Sequence, residues 1–152
     1  MDNNAVLRSL RYILEYDDEK MAEAAALGGL PYDPGRMEAM LKKEEDDGFV
    51  PCDNETLVRF LDGLIVHRRG PSDKPRPEGG RGFAVNNNII LKKLRIAFAF
   101  REEDMIRTFE KGGFGISGTE ITALFRKRGH KHYRDCGDQL LRKFLKGLSV
   151  KD

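Results

Sequence analysis

The sequence predicts an all-α protein, two tandem pseudo-symmetric four-helix repeats packed into one globule and joined by a long Gly/Pro-rich linker. Two observations carry that reading. Shifted against itself by 84 positions, the 152-residue chain realigns without a gap over residues 3–65 and 87–149. Leu7, Leu10 and Arg11 fall on Leu91, Leu94 and Arg95; Gly28 and Gly29 on Gly112 and Gly113; Cys52 on Cys136; and the run Phe60 to Leu64 on Phe144 to Leu148. In addition, apolar residues recur with helical period between the breakers, and no stretch alternates as a strand would. Repeats this small bury too little apolar surface to stand alone, so the two are expected to pack together. The boundaries read as 1–67 for the first repeat, 68–86 for the linker and 87–152 for the second.

The first helix is read from Val6, Leu7, Leu10, Ile13 and Leu14, with Asn3 or Asn4 as its cap. The second starts near Asp17 and Asp18, runs through strong helix formers, and stops where Gly28 and Gly29 can supply a left-handed residue. Asp33 followed by Pro34 announces the third, which carries Met37, Met40 and Leu41. The fourth begins around Asp53 and bears the stripe Leu57, Phe60, Leu61 and Leu64. Gly63 and Gly147 sit inside this last helix of each repeat, where glycine costs stability. They are read as permitting close approach of another helix, across the pseudo-twofold axis.

The second repeat follows the same plan with two changes. Its first helix adds Ile89, Ile90, Ile96, Ala97, Phe98 and Phe100 and is apolar almost all round, as a centrally placed helix would be. Its third opens on Ser117 and Glu120, spaced to cap each other reciprocally. Between the repeats, residues 68–85 are rich in proline, glycine and charge and read as an exposed, mobile linker.

The overall charge of +2 conceals a polarity. Residues 3–65 hold seven Lys and Arg against fourteen Asp and Glu, a net of −7; residues 87–149 hold fourteen against seven, a net of +7. Such asymmetry suits docking between complementary halves, self-association, or an anionic partner for the second repeat. No apolar run approaches 18 residues, so no membrane span is expected. The absence of a secretory signal points to the cytoplasm, where the two cysteines would be free thiols.

Four constellations are candidates for chemistry. Arg11 and Arg95, set among apolar neighbours at matched positions, could clamp an anion. The plainer alternative has each guanidinium on the wet edge of its helix, paired with an acid such as Glu15 or Glu102. His130, His132 and Cys136 include donor types that bind zinc. The first repeat, however, has Asp46, Gly48 and Cys52 at those places, so no metal or other cofactor is expected. Cys136 with a histidine as base would be a nucleophile; the plainer reading makes Cys52 and Cys136 small apolar fillers at the start of the last helix. Finally, helices over 102–111 and 118–128 joined by a glycine-containing turn have the grammar of a helix-turn-helix. Arg126, Lys127, Arg128, Lys131 and Arg134 would then lie on phosphates.

The blocks LRSLRYIL, FLDGLIVHRRG, NNNIILKKLRIAF, EITALFRK and YRDCGDQLLRKFLKGL, in this order and spacing, resemble the small bacterial YehS-like family, a duplicated all-helical domain of unknown function. That resemblance covers nearly the whole chain and implies the duplicated layout without implying a catalytic residue, cofactor or substrate. The leading expectation is a non-enzymatic cytoplasmic binding or regulatory protein, acting through a protein partner or self-association. The alternatives are a nucleic-acid-binding module in the second repeat and a metal or thiol site at His130, His132 and Cys136.

Overall fold

A computed structural model describes residues 1–71 and 85–151. Most of the expected linker, residues 72–84, lies outside the described residues. The chain is all-α: among the described residues there are eight helices and no strand. They divide between two compact units, Met1–Val85 and Asn86–Asp152.

In the first unit α1 spans Asn3–Leu14, α2 Asp18–Leu27, α3 Pro34–Leu41 and α4 Asn54–Arg69. In the second, α5 spans Asn87–Ala97, α6 Glu102–Lys111, α7 Gly118–Leu124 and α8 Asp138–Ser149. The helix α4 therefore continues two residues past the expected start of the linker and ends at Gly70, whose φ of +83° only glycine takes freely.

Most helix starts have a local cause. Asp2, Asp17, Asp33 and Asp53 accept from the backbone N–H three residues on. Ser117 and Glu120 form the expected reciprocal cap, each accepting from the other's backbone N–H at 3.2 Å. Asn3 and Asn4 are not the cap of α1; that role falls to Asp2, and to Asn86 in α5, because the asparagine pair sits inside the first turn with its side chains turned sideways.

Leu7, Leu10, Met21, Leu57, Phe60 and Leu64 are fully enclosed in the first unit. Leu91, Leu94, Met105, Leu141 and Phe144 hold the places of the first five in the second unit, where Phe109, at the position of Ala25, is also enclosed. Each such side chain contributes about 1.5–3 kcal/mol by leaving water. Within α5 only Lys92 is exposed, in keeping with its apolar circumference.

The helices α2 and α4 meet through glycine. A Cβ on Gly63 would stand 1.8 Å from the Ala24 carbonyl oxygen, and one on Gly28 1.7 Å from that of Arg59. Gly147 and Gly112 repeat this crossing in α8 and α6, at 1.8 Å from Thr108 O and 1.9 Å from Lys143 O. The close approach expected of Gly63 and Gly147 is thus to the second helix of the same repeat. The left-handed residue after α2 is Gly29, with φ +102°, while Gly28 supplies the contact.

Candidate functional site

The loops that join the third and fourth helices of each unit are held by one device. Asn4 is buried in α1, and its Nδ2 donates to Met40 O at 2.8 Å and Val50 O at 3.0 Å. Its Oδ1 accepts from Cys52 N at 3.0 Å. In the second unit Asn88 does the same for Leu124 O, Arg134 O and Cys136 N, at 3.0, 2.8 and 2.8 Å. A carboxamide has two donors and an acceptor, so one side chain satisfies three backbone groups that could not otherwise be buried. The preceding residues reinforce it: Asn3 donates to Cys52 O and Asn87 to Cys136 O, both at 3.0 Å.

This staple holds the end of the third helix. Leu124 O accepts from Asn88, and Ala123 O accepts from the Arg134 N–H at 3.1 Å besides the Arg126 N–H at 3.4 Å, so the last carbonyls of the helix are tied to the loop. The helix expected over 118–128 stops at Leu124, and Arg126, Lys127 and Arg128 stand exposed on the loop beyond it. Lys131 and Arg134 are exposed on the same loop. Arg134 is braced by Glu120, Nη1 to Oε2 at 2.8 Å, and Phe125 lies under the Arg95 guanidinium, 4.8 Å from the ring centre.

The corresponding loop of the first unit has the opposite sign. Glu44, Glu45, Asp46 and Asp47 are exposed on it. The Lys42 ammonium is turned onto Asp47 O at 2.9 Å, and Arg8 donates to Lys42 O at 3.0 Å. One backbone frame therefore presents an anionic loop in one unit and a cationic loop in the other.

The other candidate residues are distributed as follows. Arg11 Nε lies 3.7 Å from Asp18 Oδ1, and Arg95 Nε donates to Phe100 O at 3.2 Å. His130 and His132 are exposed with ring centres 5.6 Å apart, and His130 Nδ1 accepts from the His132 N–H. Cys136 is buried, its thiol directed at Gly137 O. Burial pushes the thiols of both Cys52 and Cys136 up to about 12, far from the range of a nucleophilic thiolate. Among the described residues, no three His, Cys, Asp or Glu side chains are grouped to hold a metal ion. None of the described helices is long and apolar enough to cross a membrane.

A family model for proteins of unknown function, DUF1456, matches residues 3–70 and again residues 87–152, so the sequence family itself repeats where the four-helix pattern repeats. The chain belongs to this family. It is similar to the uncharacterized protein YehS of Escherichia coli (strain K12), with 40% identity over 151 residues, 99% of this chain and 96% of that one. No solved structure matches. Membership of the DUF1456 family brings no assigned chemistry, so a site has to be argued from the loops themselves. The asparagine staple was missed in the sequence, although the doublet at residues 3–4 and again at 87–88 was its visible mark.

Proposed function

We propose that this is a non-enzymatic binding protein that associates with a second copy of itself through the two stapled loops, the anionic loop of one copy docking on the cationic loop of the other. The observation that carries the reading is the opposite sign of two loops built on equivalent backbone hydrogen bonds. A loop fixed in advance loses little freedom on docking, and complementary fields favour the paired orientation over like-with-like contacts. Exchange of both loop pairs closes a twofold dimer, which leaves no open end for further growth. A cytoplasmic setting suits this reading, since reduced thiols are the ordinary state there.

Sedimentation velocity of the full chain tests it. The expected result is a dimer near 0.05 M salt that dissociates towards about 1 M, where the screening length falls to roughly 3 Å. Replacing Glu44, Glu45, Asp46 and Asp47 with lysine should abolish the dimer. Additionally replacing Arg126, Lys127, Arg128 and Lys131 with glutamate should restore it. A monomer at low salt, or a dimer indifferent to the first replacement, would overturn the reading.

A second reading is favoured by one observation, the exposure of Arg126, Lys127, Arg128, Lys131 and Arg134 together on the cationic loop. In it, these side chains neutralise the phosphates of a nucleic acid without reading bases. Fluorescence anisotropy with a random duplex and an RNA hairpin tests it. Affinity should fall with salt, and more gently once Arg126, Lys127 and Arg128 are alanine. No binding at low salt would dispose of it.

A further inference from the structure

The first unit holds a cleft of about 120 Å³ between α2, α3 and the start of α4. Its wall is made of Ala22, Ala25, Met37 and Met40, with Leu30, Pro31 and Thr56 beside them, and Asp33 and Arg36 border it. The second unit has the same helices but different side chains. There Ala22 becomes Ile106, Ala25 becomes Phe109, Leu30 becomes Phe114 and Thr56 becomes Leu140. Phe109 is wholly buried, with its ring centre 5.2 Å from Phe144 and 6.3 Å from Phe114. Core side chains thus fill in one repeat what small residues leave hollow in the other. The wall of such a hollow forgoes contacts that a group of fitting shape would supply.

The cleft is too small for a drug-sized ligand and is comparable with the roughly 150 Å³ apolar cavity that admits benzene in an engineered protein. Its apolar wall suits a branched aliphatic group, and methionines adapt to the shape of what they touch. The border carries both signs. Asp33 spends one carboxylate oxygen on the Arg36 N–H, at 3.0 Å, as the cap of α3. Arg36 is exposed and presents a guanidinium, the side chain best shaped to bind a carboxylate. It also faces Asp53, whose carboxylate is already engaged by the backbone and hydroxyl of Thr56. Beyond Pro31, the Tyr32 ring lies in the field of Glu19, Glu23 and Asp17, which adds negative charge on that side. In the second unit Asp33 and Arg36 are replaced by Ser117 and Glu120, so this pair of border charges belongs to the first unit alone.

We propose that this cleft binds a small free α-amino acid with a branched apolar side chain, the aliphatic group against Ala22, Ala25, Met37 and Met40, the carboxylate on Arg36 and the ammonium on Asp33. The reading does not depend on how the two loops associate.

The test uses the full chain and three probes of one carbon skeleton. These are leucine, 4-methylpentanoate, which lacks the ammonium, and 3-methylbutylamine, which lacks the carboxylate. Amide chemical shifts around Ala25 and Met37 are followed in titrations to a few millimolar, where a Kd near 1 mM is measurable. Leucine should saturate, and each single-charge probe should bind at least about tenfold more weakly, the loss of one paired charge being worth that much. Arg36→Gln should bring leucine down to the level of 3-methylbutylamine. Asp33→Asn keeps a helix cap and should bring leucine down to the level of 4-methylpentanoate. Ala25→Phe and, independently, Thr56→Leu import the second unit's residues and should each remove binding by a protein that still gives a folded spectrum. Absence of saturation by leucine, equal affinity for leucine and either single-charge probe, or binding that survives both cleft-filling changes would overturn the proposal.

Discussion

Gly28 and Gly63 lie against each other where α2 crosses α4, so near that neither position has room for a methyl group. The atoms that a Cβ would meet are backbone, the carbonyls of Ala24 and Arg59, and backbone cannot rotate aside as a side chain does. Gly63→Ala is therefore expected to force the helices apart and cost roughly 3 kcal/mol, at the upper end of overpacking. Gly147→Ala should behave alike against Thr108 O. Gly35→Ala is the control: its nearest neighbour is Asp33 Oδ1 at 3.6 Å, an ordinary contact, and there the change should stabilise by about 0.5–1 kcal/mol. Urea unfolding of the three variants decides the matter, and equal midpoints would contradict it.

Asn88→Ala should be among the most damaging single changes in the second unit. It strands the buried Leu124 carbonyl, the partly buried Arg134 carbonyl and the buried Cys136 N–H at once, a buried group costing about 1–3 kcal/mol when left unpaired. A loss of about 3 kcal/mol or more is expected, with faster hydrogen exchange at the Cys136 amide. Asn88→Asp keeps the shape but has no N–H to donate, so it should fare no better. Asn87→Ala, whose amide is only partly buried, should cost about 1 kcal/mol.

These two cases mark what could be read from residues alone. A glycine repeated inside a good helix declares a close approach, because only contact explains a tolerated loss of propensity. It does not name the partner: α2 lies 35 residues before Gly63 in the form of Gly28, which read equally well as a helix stop. The asparagine doublet failed for a related reason. At a helix start its commonest use is capping, and its true partners are 36 to 51 residues away. Ser117 and Glu120 were legible because both ends of that interaction lie within four residues. The end of α7 was not, since the basic run through Arg128 is helix-compatible and the bonds that tie its last carbonyls to the loop come from Asn88 and Arg134, 36 and 11 residues away. The charge difference between the loops was plain in the composition; that both are pinned to equivalent frames was not.

Glu15 and Ala99 occupy matched positions after α1 and α5 with φ of 57° and 56°, the left-handed region that L-residues enter at a cost of about 1–2 kcal/mol. The turn requires it, since Tyr16 N and Phe100 N reach back to Arg11 O and Arg95 O. Ala99 is exposed, so Ala99→Gly removes strain without opening a cavity and should raise stability by about 0.5–1 kcal/mol. Ala99→Val, branched at Cβ, should lower it by a similar amount. Thermal unfolding midpoints should order Gly above Ala above Val.

Cys52 and Cys136 should be inert towards a thiol reagent in the native protein at pH 8. Both are nearly inaccessible, and burial raises their thiols to about 12, where an unperturbed cysteine is near 8.5. In denaturant both should react at once, and in native buffer only at the rate of opening. A fast native phase of one thiol per chain would show that the start of α4 or α8 opens far more readily than its hydrogen bonds imply.

Glu120 gives the basic loop a dependence on pH. Its carboxyl is held below the ordinary glutamate value of 4.5, first by the hydrogen bonds from Ser117 and then by Arg134. A depressed folded-state value means that the stabilisation is complete above about 4.5 and is lost as the pH falls through the folded-state value. Protonation weakens both the start of α7 and the brace on Arg134. On acidification from about pH 7 to about pH 3, the Ser117 and Glu120 amides should shift and exchange faster before the α8 amides do. Glu120→Gln retains an acceptor for the Ser117 N–H but no charge for Arg134, so its loop should already be loosened at neutral pH and show little further change on acidification. A Glu120 titration at or above 4.5, read from its side-chain carbon shift, would mean that the carboxylate neither caps α7 nor holds Arg134 in solution.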